Sequence, residues 1–234
     1  VPMLVAIIYL ILQTKVQFGT YSAALPDVLR LVLPGAGILS AQGLVFIAFT
    51  LAFAIKVPLF PFHTWLPDAH VQAPTGGSVI LAGVLLKLGG YGLVRFAMPM
   101  AVDVLPIVAP WMMGISAIAI VYGACVAMVQ DDIKKMIAYS SVSHMGYVIL
   151  GLFALNQIGV TGAMYQMLNH GVATGGLFLL VGILYERKHT RAITAYSGLA
   201  KTLPLFSIVW LVMTFSSIAL PGTNGFIGEF LILQ

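Results

Sequence analysis

Long apolar runs separated by short polar stretches set the pattern of this chain. Runs at 1–13, 40–62, 75–98, 105–129, 135–154, 158–185 and 204–234 are dominated by Leu, Ile, Val, Ala, Met, Phe and Gly. An α-helix rises 1.5 Å per residue, so about 20 such residues cross the roughly 30 Å hydrocarbon core of a bilayer. The pattern predicts an all-α, polytopic transmembrane helical bundle, with six full spans and a partial first one. Residues 1–234 read as a single membrane domain. The stretch 14–38 is mixed, carrying Lys15, Asp27 and Arg30. Within it, Leu25–Leu33 predicts a short amphipathic helix at the interface.

Two runs are interrupted. The first reads AFAIKVPLFPFHTWLP, and its Pro58 and Pro61 have no amide proton to give. The carbonyls of Ala54 and Val57 are therefore expected to lose their helical donors. The second reads SSIALPGTNGFIGEFL, in which Pro221, Gly222 and Gly225 stop one helix. Thr223 or Asn224 is positioned to cap the next. Irregular backbone at membrane depth survives only where protein or a water-filled cavity satisfies it. A pair of such breaks is a pointer to a transport site.

Composition removes the soluble alternatives. Apolar residues make up 60% of the chain and charged residues 8%, against about 25% charged in soluble domains. The net charge of +4 reads as topology rather than nucleic-acid binding. Lys134, Lys135, Arg187, Lys188, Arg191 and Lys201 lie in loops of one side, and Lys15, Arg30 and Arg95 in loops of the other. The positive-inside rule makes the first side cytoplasmic, together with the loop holding Asp68 and His70. The single cysteine, Cys125, leaves no disulfide framework, Cys/His zinc spacing or iron–sulfur ligand set. No nucleotide-binding or dinucleotide-binding glycine motif occurs, and no catalytic triad signature. No cofactor or metal is expected on this chain. Both ends fall inside apolar runs, which predicts an internal piece of a longer protein.

The few ionisable residues inside the runs then carry the argument. Lys56 lies two residues before Pro58. An ammonium there costs about 2.5–3.5 kcal/mol on insertion scales, and the freed carbonyl of Ala54 is a candidate to offset part of it. Lys87 lies twelve residues after Thr75, about 18 Å along the helix. The sevenfold spacing of Gly76, Gly83 and Gly90 predicts a closely approaching neighbour beside it. Burial of a lysine favours the neutral form, so Lys87 is a candidate proton carrier, with a static ion pair as the structural alternative. His144 has Ser140 and Ser141 one turn back, and His170 has Gln166 and Thr174 on its own face. Two histidines on polar stripes suit a proton relay. Glu229 follows the second break, where the positive end of a new helix favours a carboxylate. His63, Asp68 and His70 read as a pore mouth or cap. Asp131, Asp132, Lys134 and Lys135 read as a solvated turn and helix start.

The run KVPLFPFHTWLPDAHVQAPTGGSVILAGVLLKLGGYGLVRF, residues 56–96, resembles the antiporter-like subunits of respiratory complex I. So do DIKKMIAYSSVSHMGYV (132–148), GLFLLVGILYERKHTR (176–191) and LPGTNGFIGEFLIL (220–233). The resemblance is weakest over 1–40. It implies inverted bundles of five helices, each with a broken helix. By resemblance, Lys56 is the lysine of the first break, Lys87 the connecting lysine, His144 and His170 the histidines of a central hydrophilic axis, and Glu229 the acid of the second break. The acid at 229 points to the branch called chain M or chain 4, because sister chains tend to carry lysine there. The glutamate that the family pairs with the first lysine has no counterpart in this sequence, since no acidic residue precedes Asp27.

The resemblance implies a proton-translocating membrane subunit of NADH–quinone oxidoreductase, with the redox centres on other chains. Its partners would be sister antiporter-like chains and the lipid bilayer, with no nucleic acid. Its place would be the bacterial inner membrane or, alternatively, the mitochondrial inner membrane. A subunit of a multi-subunit cation/proton (Na+/H+) antiporter is the alternative function, and a non-conducting spacer a third.

Overall fold

Each apolar run forms a helix, and each expected interruption stops one. The computed structural model describes residues 1–35 and 37–234. Helix α1 (Pro2–Phe18) leads to a short α2 (Leu25–Leu29), then α3 (Ala41–Lys56) and α4 (Trp65–Gln72). Helices α5 (Thr75–Ile80) and α6 (Leu86–Gly92) are joined by a π-helical turn, Leu81–Leu85, and a second π turn, Leu93–Ala97, follows. Together they make one rod, Thr75–Ala97. Next come α7 (Leu105–Met128), α8 (Ile133–Phe153), α9 (Gln157–Lys188), α10 (Leu199–Thr202), α11 (Pro204–Ser217) and α12 (Asn224–Leu233). No strand forms among the described residues.

The rod, α7, α8 and α9 are each long and apolar enough to span a membrane. Helices α3 and α4, and likewise α11 and α12, are the halves of the two broken runs. Helix α9 is the centre of the bundle, touching α8, α11, α12 and α5. Helix α8 packs between α7, α9 and α4. Two-thirds (67%) of the apolar windows of α8 and α9 are buried, against 28% for α7. The outer face of α7 shows Trp111, Val121 and Met128 to its surroundings, a surface that lipid covers and water would not.

The local sequence explains the boundaries. Ser40 accepts the Gly43 amide, Asp132 those of Lys134 and Lys135, and Asn156 that of Gly159, each satisfying open donors at a helix start. The three loops assigned above to one side meet at one end. Arg191 pairs with Asp132 at 3.1 Å and donates to Val71 O, while the backbones of Asp132 and Ala192 pair.

The mouth expected from His63 and His70 is not one. His63 and His70 are 2% and 0% exposed. His70 stacks on Phe178 with centroids 4.3 Å apart, and His63 packs against Phe60 and Tyr122. Helix α4 folds back against α8, so its inner face is covered, and of His63, Asp68 and His70 only Asp68 is exposed. Lys134 also departs from expectation. It is buried and donates to Ala73 O at 2.9 Å and His70 O at 3.3 Å. The last carbonyls of α4 lack helical donors, and the lysine supplies them.

Candidate functional site

Lys87 is set by the π turn before it. There the Leu86 amide reaches back five residues to Leu81 O, which widens the helix. The lysine side chain folds back along the same turn and donates to Ala82 O. Its Nζ lies 2.6 Å from His170 Nδ1. The rod and α9 cross without side chains between them, since a Cβ on Gly171 would sit 3.0 Å from Gly83 O. Gly83 and Gly90 both face α9, as their spacing predicted, whereas Gly76 faces open space.

An ammonium has no lone pair, so a charged Lys87 donates and His170 Nδ1 accepts. The ring proton then sits on Nε2. With the proton moved, the amine accepts and the imidazolium donates. One hydrogen bond thus holds a proton at either end. Among the described residues Lys87 forms no pair with a carboxylate, so the static ion pair is not what the geometry shows.

His144 and Glu229 form the second pair. His144 Nδ1 lies 3.0 Å from Glu229 Oε1, and Gln166 Nε2 donates to the same oxygen at 3.0 Å. Ser217 Oγ is 3.3 Å from His144 Nε2. Ser140 and Ser141 do not hold the ring, because both hydroxyls donate to Ile137 O, the usual back-bond of a helical serine. Gln166 serves Glu229 rather than His170. Glu229 sits in the second turn of α12, held by side chains of α8 and α9 rather than by free amides at the helix start.

The two pairs adjoin. The His144 and His170 rings are 5.6 Å apart, centroid to centroid. Between them is a cavity of about 10 Å³, with Asn169, Ser216 and Ser217 also on its wall. His170 is 3% exposed, and its Nε2 has no partner among the described residues. A polar cavity of this size holds one water at most.

Lys56 stands apart. It is half-buried and makes no hydrogen bond or ion pair among the described residues. It does not cap the break either. Ala54 O accepts the Leu59 amide at 2.9 Å, and Ile55 O accepts the Trp65 indole N–H at 2.9 Å. The structure therefore joins Lys87, His170, His144 and Glu229 in one line, with Lys56 outside it. Asn169, Ser216 and Ser217 line the gap in it and Trp65 serves the first break, although nothing in the apolar pattern singled them out. Asn224 does not cap α12. It is the first residue of that helix, and its side chain bonds to Asn169 and Ser216.

The family described as "NADH:quinone oxidoreductase/Mrp antiporter, TM" matches residues 1–234. The chain belongs to this family. NADH-quinone oxidoreductase subunit M of Rhodobacter capsulatus is 55% identical over 192 residues, which is 82% of this chain and 38% of that protein. A chain of respiratory complex I from Thermus thermophilus superposes with a TM-score of 0.89 at 40% identity, covering all of this chain and 48% of its own length. A chain of the Mrp complex of a Dietzia species shares the fold, with a TM-score of 0.81 at 23% identity over 98% of this chain and 42% of its own length. The chain thus spans less than half the length of these relatives. It is a multi-pass membrane protein with the antiporter-like fold that the family's motifs implied.

Proposed function

We propose that this chain carries part of the proton path of a membrane subunit of NADH–quinone oxidoreductase. In this reading, quinone reduction on other chains drives protons through buried side chains here. The observation that carries it is the line Lys87–His170–His144–Glu229, four titratable groups inside an apolar bundle, with two direct contacts and one short gap. Such groups are costly at membrane depth and mark ion and proton pathways. The Rhodobacter relative's name and the high similarity to a complex I chain support the same reading.

Lys87 takes a proton, passes it along its hydrogen bond to His170, and across the gap to His144 and Glu229. Lys56, at the first break, acts on Lys87 by charge. A proton withdrawn from or supplied to the Lys56 region changes the potential at Lys87. No redox group is assigned to this chain. The complete enzyme would sit in a bacterial or mitochondrial inner membrane, beside sister antiporter-like chains.

Lys87→Ala in the full-length subunit tests this. Proton pumping into vesicles, followed with a pH-sensitive dye during NADH oxidation, is expected to fall at least about tenfold, a loss of roughly 1.4 kcal/mol or more in transfer. Undiminished pumping per quinone reduced would sink the reading. The shared fold with an Mrp chain favours a second reading, a cation/proton antiporter subunit. Sodium-dependent proton exchange by a purified assembly lacking flavin and iron–sulfur absorbance would select it.

A further inference from the structure

Three polar side chains beside the relay belong to no step described so far. Asn169 Nδ2 donates to the backbone carbonyl of Asn224 at 2.7 Å. Asn224 Nδ2 donates to Asn169 Oδ1 at 3.1 Å. Ser216 Oγ donates to Asn224 Oδ1 at 2.5 Å. The directions fix one another. Asn169 must present its NH2 to a carbonyl, so its Oδ1 faces Asn224, whose NH2 must meet it, and the remaining Oδ1 of Asn224 takes the serine hydroxyl.

The three residues join α9, α11 and α12, and each lies a short step from a member of the relay. Asn169 precedes His170. Ser216 precedes Ser217, which touches His144. Asn224 lies just over one helical turn before Glu229. The helices between them have no slack. A Cβ on Gly225 would fall 2.1 Å from Ser216 O, and one on Gly228 would fall 3.1 Å from Gln166 Cα. Helix α12 is therefore seated backbone to backbone on its neighbours. Asn169 and Ser216 also line the small cavity between the two histidines.

We propose that Asn169, Asn224 and Ser216 are positioning residues that hold the second broken helix in register with the central histidine. This rests on the translocation reading. The bracket makes no bond to the proton carriers. It sets the separation between His170 on α9 and the His144–Glu229 pair. A polar network in which each side-chain oxygen and nitrogen has a partner suits that task, because any slip leaves those groups unpaired.

The test uses the full-length subunit in the complete enzyme. Asn224→Leu keeps the branched shape and the number of heavy atoms and removes both side-chain bonds. Protons pumped per quinone reduced are expected to fall about threefold or more, the ratio one interhelical hydrogen bond in a membrane supports. The pH profile of pumping should shift along the pH axis, since the contact between His144 and Glu229 loosens. The double variant Asn169→Leu/Asn224→Leu should do no worse than the weaker single, because both break one network. Should Asn224→Leu fail to assemble, Ser216→Ala and Ser216→Thr replace it. Ser216→Ala should shift the profile, and Ser216→Thr, which keeps the hydroxyl, should restore it. Wild-type pumping yield and pH profile in the assembled bracket variants would overturn the proposal. A parallel Lys87→Ala control separates the two ideas. If Lys87→Ala stops pumping while Asn224→Leu pumps normally, only the bracket is wrong. If Lys87→Ala pumps normally, the translocation reading itself falls.

Discussion

Both broken helices mend their backbone with an amide that reaches back five residues, Leu59 to Ala54 O and Leu220 to Phe215 O, but they treat their charges in opposite ways. At the first, the backbone is mended from within: Leu59 and Trp65 serve the carbonyls of Ala54 and Ile55, and the charge of Lys56 is left without an ion partner among the described residues. At the second, the charge is met from outside, because His144 and Gln166 reach Glu229 from two other helices. Repairing a backbone and compensating a charge are thus separate tasks. A break with a mended backbone and a lone charge is free to respond to charge elsewhere. A break with a paired charge is tied to the helices that pair it.

The contrast is sharpest where the second break has no room. Gly225→Val places side-chain atoms on the Ser216 carbonyl, and overpacking against backbone costs about 3 kcal/mol or more. The expected outcome is loss of assembled subunit on native gels, and normal assembly would show the second break to be looser than its packing implies.

A smaller effect tests the charges themselves, and the two breaks should give opposite signs. Glu229→Leu leaves His144 and Gln166 without their acceptor, and should lower thermal stability in detergent by about 1–3 kcal/mol. Lys56→Met removes an ammonium with no ion partner among the described residues, and should raise stability by up to about 2 kcal/mol. A loss at Lys56 as large as that at Glu229 would erase the contrast.

The smallest effect concerns the mended backbone. Trp65→Phe keeps the aromatic ring and removes the indole donor to Ile55 O, a change of about 1 kcal/mol. Hydrogen exchange should quicken around residues 54–60 and stay unchanged at α12. Equal protection in both proteins would mean that the indole bond does not hold the first break.

The spans, both breaks and the positions of the four ionisable residues that meet were legible in the sequence, because apolar length and misplaced charge are local properties. Partners were not. Helix faces in a membrane protein carry little contrast, since lipid and protein interior are both apolar. The stripe holding Gln166 and His170 was visible, yet nothing in it shows that Gln166 turns to Glu229, 63 residues on. Lys134 looked solvated because it follows two aspartates, and only the return of α4 onto α8 buries it. The serines beside His144 misled for a reason of chain geometry, as their nearest acceptor is always their own helix.

The π turn at Leu81–Leu85 has a consequence for helical phase. An α-helix turns about 100° per residue, so one extra residue in a turn rotates everything after it by about that angle relative to what comes before. Straight α-helical counting puts Ser78 and Lys87, nine residues apart, on opposite faces, and the extra residue brings them closer by about that angle. Removing one residue from this turn would leave the rod as apolar as before, yet swing Lys87 away from His170. The register of the relay is stored in a count of residues, and length here is as much a part of the site as the lysine.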